Sequence, residues 1–250
     1  QTGPRADAPA FAPILHAASG HDLAAQRYDA AERPARSGIW HADILGGIYA
    51  FGAIQTALIG RLRHGVGRYI DVSLMDAMIN LLVLEVQEAQ TPSPFPRWLA
   101  TPVRAADGHV MAIPITARNV DRLAEAIDRP DLRDDPRFNA QLPREENWQA
   151  LMAEIEAWTR SRPAAEAEAH LMAAGVPCAR YRTVAEAIDD PQTASRGLMS
   201  RVGDGARAFR APNAPFLFSA APLTVGSEVP EVGQHTAEIL DAVSPRQAAE

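Results

Sequence analysis

Residues 40–64 read WHADILGGIYAFGAIQTALIGRLRH, and the reading of this stretch decides the fold. Asp43 opens a run from Ile44 to Gly60 in which no residue is charged. From its start to just past its end Ile44, Ile48, Phe51, Ile54, Leu58 and Leu62 recur at steps of three or four, the spacing of one helix face, which predicts a helix over Ile44–Arg63. So long an uncharged run approaches the length of a bilayer span. Yet Gln55, Thr56 and the glycines at 46, 47, 52 and 60 dilute it, and a span needs about 20 strongly apolar residues. The expectation is a buried helix of a globular protein, with no membrane as partner.

Downstream, HGVGR (64–68) breaks the helix and RYIDVS (68–73), rich in β-branched residues, reads as a short strand. Ser73 with Asp76 three residues on has the form of a capping box, and Leu74, Ala77, Met78, Leu81 and Leu82 continue an apolar stripe into a second helix. Upstream, Pro4, Pro9, Pro13 and Pro34 make residues 1–37 read as loop. Proline again dominates residues 91–100, a linker. Beyond it Asp107-Gly108 predicts a hairpin joining a strand near Val103 to one over Val110–Ile113. Helices follow over about Arg118–Asp128, Glu145–Arg160 and Ala164–Ala174, the last stopped by Gly175 and Pro177. VAEAIDDPQTASRG (184–197) is a further short helix interrupted at Pro191, Arg207–Ser219 reads as strand, and the end of the chain reads as a polar helix after Gly233.

Composition narrows the function classes. A formal net charge of −7 argues against nonspecific binding to nucleic acid or to an anionic membrane. All 24 basic residues are arginine, which removes Schiff-base chemistry, pyridoxal phosphate anchoring and any Walker-type phosphate loop within these residues. The one cysteine, Cys178, leaves no intramolecular disulfide, fits a reducing, cytoplasmic compartment, and reads as a small buried hydrophobe. Seven histidines show no metal-ligand spacing along the chain, so no metal site is expected among them. The G-V-G at 65–67 is too short for a dinucleotide fingerprint and lies between helix and strand, the wrong order for one. Arg63 and Arg68 flank it as a pair able to hold a phosphate or simply to be solvated. Trp98, Trp148 and Trp158 read as packing residues.

Asp43 supports two compatible readings. As an N-cap, its carboxylate would accept hydrogen bonds from the free amides of the first turn, worth about 1 kcal/mol. As a nucleophile, it would draw on the same helix terminus, which favours an anion. Gly46 and Gly47, lacking side chains, would let a substrate approach the backbone amides that stabilise an oxyanion.

Several stretches together resemble the family III coenzyme A transferases, the CaiB/BaiF family. They are QTGPRADAPAFAPILHAASG (1–20), Asp43 to Gly47 with RLRHGVGRYIDVSLMDA (61–77), DGHV (107–110) with RPDLRDDPRF (129–138), LMAAGVPCARYRTVAEAIDDPQ (171–192) and VGQHTAEIL (232–240). The matches run in order along nearly the whole chain. The resemblance implies an α/β fold with an incomplete Rossmann-like large lobe plus a smaller α+β lobe: residues 1–95 and 193–250 in the large lobe, 100–192 in the small one. It implies transfer of coenzyme A from an acyl-CoA donor to a carboxylic acid acceptor through a covalent intermediate on Asp43, with Arg5, His16, Gly46, Gly47, Arg63 and Arg68 toward coenzyme A and no metal or redox cofactor. His16 stands where many relatives carry glutamine.

The same resemblance leaves open an acyl-CoA racemase or epimerase, although the histidine that racemases pair with the aspartate falls near Phe11 here. A non-catalytic coenzyme A-binding fragment is the reading from a different class. The likeness covers roughly the final three-fifths of a typical member, so the rest of the large lobe is expected to be cleaved, truncated or supplied by another N-terminal chain, and the assembly to be an interlocked homodimer.

Overall fold

The computed structural model describes residues 2–36, 38–93, 99–203, 207–221 and 223–243. The fold is mixed α/β with helix predominating, and it divides into two compact units, residues 1–101 with 115–154 and residues 102–114 with 155–250.

The first unit is helical among its described residues: α1 Ala12–Ser19, α2 His21–Asp29, α3 His41–His64, α4 Leu74–Leu81, α5 Val83–Gln90, α6 Ala117–Ala126, α7 Gln141–Glu146 and α8 Trp148–Thr159, within which the division between the units falls. Two of these lie where the prolines predict loop. Pro13 is the reason the reading fails at α1, because it occupies the first turn, where a missing N–H costs nothing and a fixed φ suits the helix. Gly20, at φ 88°, ends α1 in the left-handed region and starts α2 in one residue.

Ala12 and Leu15 of α1, Ala42 of α3 and Met78 of α4 form one small buried cluster, with Leu45, Leu74 and Met75 packed on it. Gly46 is buried against the same layer: a Cβ placed there would lie 2.1 Å from Leu74 Cδ2. Ser73 caps α4, its hydroxyl accepting from the Asp76 amide at 3.2 Å, as the motif predicts.

The apolar face of α3 differs from expectation. Ala42 and Gly46 are its buried residues, whereas Ile44, Ile48, Phe51, Ile54, Leu58 and Leu62 are 44–86% exposed. Small residues together with Leu45, not the large apolar stripe, make the intramolecular contact, and Ala42 and Gly46 let α4 approach closely. By length and composition α3 also passes as a candidate membrane span. The strand expected at residues 68–73 is an extended connection instead. No sheet lies in the first unit among the described residues, and without a ladder partner β-branched residues do not make a strand.

The second unit carries the predicted hairpin. β1 Val103–Arg104 pairs antiparallel with β2 His109–Ala112 in the register Val103↔Val110 and Arg104↔His109, around Asp107-Gly108. A third strand, β3 Cys178–Arg180, adds to β2 with Ala112 opposite Cys178. Helix α9 Ala164–Ala173 covers this sheet, burying Ala167 and Leu171. Asp107 reaches back to accept the Ala164 amide at 2.7 Å, so the hairpin turn also caps α9. Glu168 of α9 binds β3 and the chain beyond it, taking Arg182 Nη2 on both oxygens at 2.9 Å and the Arg180 amide at 3.2 Å.

After α10 Val184–Ile188 and α11 Pro191–Ser195, which reproduce the helix interrupted at Pro191, β4 Met199–Val202 and β5 Phe209–Pro212 form a separate hairpin. The strand expected over Arg207–Ser219 is thus its first part alone. The last helix, α12 Thr236–Val243, exposes Ile239, Leu240 and Val243 and is less polar than expected. Trp148 is buried as a packing residue. Trp158 stacks against His170 at 5.1 Å between ring centroids and takes the Arg162 guanidinium at 4.2 Å from its own. Trp98 and the middle of the linker lie outside the described residues.

Candidate active site

The start of α3 assembles the most chemistry. The helix begins at His41 with Trp40 as its N-cap residue, so Asp43 sits three positions inside the first turn and is not the cap. Its side chain does not serve the turn's amides, which corrects the capping reading. What remains of that reading is the electrostatics, since a carboxylate in a first turn is favoured by the helix dipole by about 0.3–1 kcal/mol. Asp43 is exposed.

The cap is supplied from elsewhere. His16 of α1 is fully buried, and its Nε2 accepts the Ala42 amide at 3.3 Å. An Nε2 that accepts places the ring proton on Nδ1. Burial pushes the His16 pKa down; the neighbouring His21 adds to this, Asp22 opposes it, His41 lowers it further and Asp43 opposes it. The imidazole is therefore neutral at pH 7 and joins the position of the Asp43 turn to α1.

Two more histidines complete a cluster that spacing along the chain does not reveal. His21 opens α2 and His41 opens α3. The three ring centroids are 5.1 Å (His16–His21), 5.5 Å (His16–His41) and 5.1 Å (His21–His41) apart. His21 Nδ1 lies 3.0 Å from Asp22 Oδ1. His41 Nδ1 is buried without a hydrogen-bond partner. Spacing along the chain gives no sign of this grouping, in which one ligand nitrogen from each of the three lies within 4.8 Å of the others. The signal that could have found them is the junction, not the spacing: all three stand within a few residues of a helix start.

The remaining predicted residues separate. Gly47 is exposed, and a Cβ there would meet nothing within 4 Å, so its side of the helix is open to a ligand. Gly46, by contrast, is closed by Leu74 and serves packing, not substrate approach. Arg63 lies in the last turn of α3, twenty residues from Asp43, which at 1.5 Å per residue is about 30 Å along the axis. Arg68 follows in the exposed connection after Gly65, and Arg5 is exposed in the turn before α1. The structure thus gathers Asp43, His16 and the two glycines at the start of α3 and leaves Arg63 and Arg68 at the far end of that helix.

Comparison with known proteins gives the chain its family. The profile of the CoA-transferase family III matches residues 1–236. Among curated relatives, the acetyl-CoA:oxalate CoA-transferase of Acetobacter aceti is 33% identical over 222 residues, 81% of this chain and 54% of that protein. The Succinyl-CoA--D-citramalate CoA-transferase of Chloroflexus aurantiacus is 30% identical over 251 residues, 96% of this chain and 62% of that protein.

Solved structures agree. Rv3272 from Mycobacterium tuberculosis, in its orthorhombic form, superposes with a TM-score of 0.81 at 25% identity, covering 94% of this chain and 65% of that one. A CaiB/BaiF family protein from Brucella suis gives 0.79 at 27% identity, with 97% and 65% covered. The chain therefore spans between about half and two-thirds of the length of these relatives, and it belongs to the CoA-transferase family III.

Proposed function

We propose that the protein to which this chain belongs transfers coenzyme A from an acyl-CoA donor to a carboxylic acid acceptor, with Asp43 as the covalent nucleophile. The observation that carries this reading is an exposed carboxylate in the first turn of α3, one turn before the uncovered Gly47. Family membership and the names of the relatives support it.

The residues supply a consistent sequence of steps. The Asp43 carboxylate attacks the thioester carbonyl of the donor, the carbon–sulfur bond breaks, and a mixed anhydride and the coenzyme A thiolate result. The thiolate attacks the aspartyl carbonyl of that anhydride, forming an aspartyl thioester and releasing the donor acid. The acceptor carboxylate then attacks the aspartyl thioester, and the thiolate returns to the acceptor's acyl carbon, restoring Asp43. Each step exchanges acyl groups of similar energy, so the protein's task is positioning and oxyanion stabilisation, with no metal or redox step required. His16 is a positioning residue on this reading: it holds the Ala42 amide and so the turn that carries Asp43. A second chain, in an interlocked homodimer, covers the exposed stripe of α3.

The test is to incubate the complete protein with acyl-CoA, quench with hydroxylamine and map the product by mass spectrometry. A hydroxamate at Asp43, and loss of transfer in Asp43→Asn, are expected. Absence of any adduct at Asp43, or full transfer by Asp43→Ala, overturns the mechanism. Exchange of the substrate's α-hydrogen with solvent deuterium in the absence of an acceptor acid would turn the assignment to racemisation.

A further inference from the structure

The three-histidine cluster at the start of α3 takes no chemical part in the acyl-transfer steps, in which His16 only positions the Asp43 turn, and its chemistry points elsewhere. We propose that His16, His21 and His41 form a binding site for a divalent transition-metal ion of the zinc class. Imidazole is the ligand such ions favour, and three neutral imidazoles with one open position is a recurrent coordination set.

Several observations converge. The rings come from the body of α1 and the first residues of α2 and α3, so three separate helices aim nitrogen donors at one point. The candidate ligand atoms lie within 4.8 Å of one another. A tetrahedral ion with bonds of 2.0–2.1 Å needs them about 3.4 Å apart, a closure of roughly an ångström that rotation of the partly exposed His21 and His41 can supply. Asp22 on His21 Nδ1 leaves Nε2 as the free donor of that ring, the carboxylate–histidine–metal arrangement that orients a ligating imidazole. His41 Nδ1 is buried with no partner, a polar atom whose lone pair or proton nothing satisfies among the described residues.

Charge favours a dication as well, since the carboxylates of Asp22 and Asp43 both act on His16. One cost opposes binding. Either ring nitrogen that His16 offers must give up what it now holds, the Ala42 amide on Nε2 or the proton on Nδ1, and exchanging that bond costs about 1 kcal/mol.

The test needs no turnover and so stands or falls apart from the acyl-transfer reading. Tag-free protein, stripped with a chelator and dialysed, is titrated with Co2+ and followed by its visible absorption. The site predicts an absorption that saturates at one ion per chain, is displaced by Zn2+, and is accompanied by a shift of the Ala42 amide in the 1H–15N spectrum. His21→Gln and His41→Gln, both at partly exposed positions that leave the core intact, each weaken Co2+ at least about tenfold, and Asp22→Asn weakens it by a similar factor. His170→Gln, on α9 of the other unit, leaves binding unchanged. Lack of saturation at one equivalent, or equal affinity in the wild-type and both His21→Gln and His41→Gln chains with native circular dichroism, overturns the site.

Discussion

Gly46 and Leu74 meet so closely that a single methyl group at position 46 would lie 2.1 Å from the Leu74 Cδ2. This contact sets the distance between α3 and α4 and, through it, the orientation of the turn that carries Asp43. Gly46→Ala must push Leu74 off its rotamer or part the two helices, at about 1–2 kcal/mol in chemical denaturation. Gly47→Ala, one residue on and open to solvent, is expected to stabilise by about 0.5–1 kcal/mol, because alanine replaces glycine within a helix with nothing to clash against. Equal effects at the two positions would remove the packing role given to Gly46.

How far this region was legible from sequence depends on which physical signal carried it. Local signals came through: Ser73 caps α4, Asp107-Gly108 turns β1 into β2, and Pro191 divides α10 from α11. Each depends on contacts within a few residues. Signals that need a distant partner did not. RYIDVS has strand composition but finds no strand to pair with among the described residues, and β3 at Cys178–Arg180 shows itself only through the register it makes with β2, where Ala179 stands opposite Met111, far earlier in the chain. The histidine cluster is hidden for the same reason, since 16, 21 and 41 share no helical or hairpin spacing and meet only once α1, α2 and α3 pack.

The exposed stripe of α3 makes a surface prediction. Ile44, Ile48, Phe51, Ile54, Leu58 and Leu62 lie along one helix, a contiguous apolar strip of the kind that marks an interaction face. The isolated chain is expected to bind a hydrophobic dye such as anilinonaphthalene sulfonate in its native state. Ile48→Glu with Leu58→Glu should reduce that fluorescence severalfold while far-ultraviolet circular dichroism is retained, because neither side chain contributes to the buried cluster. Unchanged dye binding would mean that the strip is covered in solution.

The Glu168–Arg182 pair binds α9 to the chain that follows β3, with both carboxylate oxygens on one guanidinium nitrogen and the Arg180 amide added. Glu168 is nearly buried, so its removal strands donors that water reaches poorly. Glu168→Ala is expected to destabilise the second unit by about 2–3 kcal/mol, whereas Glu231→Ala, on the exposed Arg207 pair, loses at most about 0.5 kcal/mol. Thermal unfolding monitored in the two variants distinguishes them.

Glu186 gives the acid limb of stability its shape. The Thr183 amide, the Arg180 guanidinium and the Thr183 hydroxyl hold its carboxyl down at about 2, against an ordinary value near 4.5. A carboxyl depressed in the folded state stabilises it above the unfolded value. That contribution is lost as pH falls from 4.5 toward 2, where protonation breaks the capping box of α10. Carboxyl NMR should place the Glu186 titration well below 4, and Glu186→Gln should flatten the fall of the melting temperature between pH 5 and 2.5. An ordinary titration near 4.5 would show that the box does not persist in solution.

Cys178 lies opposite Ala112 in the β2–β3 ladder, and burial pushes its thiol up to about 11, with nearby Glu168 adding to the effect. Only the thiolate is alkylated, and at pH 8 a thiol with that value is ionised in roughly one molecule in a thousand. The unfolded chain, with an ordinary cysteine, is ionised in roughly a quarter of molecules at the same pH. Iodoacetamide should therefore modify native protein at least about a hundredfold more slowly than protein in denaturant, with the native rate rising close to tenfold per pH unit up to the point where the strand opens. The expected outcome makes Cys178 a packing residue of the small sheet. Native labelling as fast as in denaturant would require β3 to detach from β2 on the timescale of the reaction, and protection of the Ala179 amide, measured by hydrogen exchange in the same buffer, would then be lost in step.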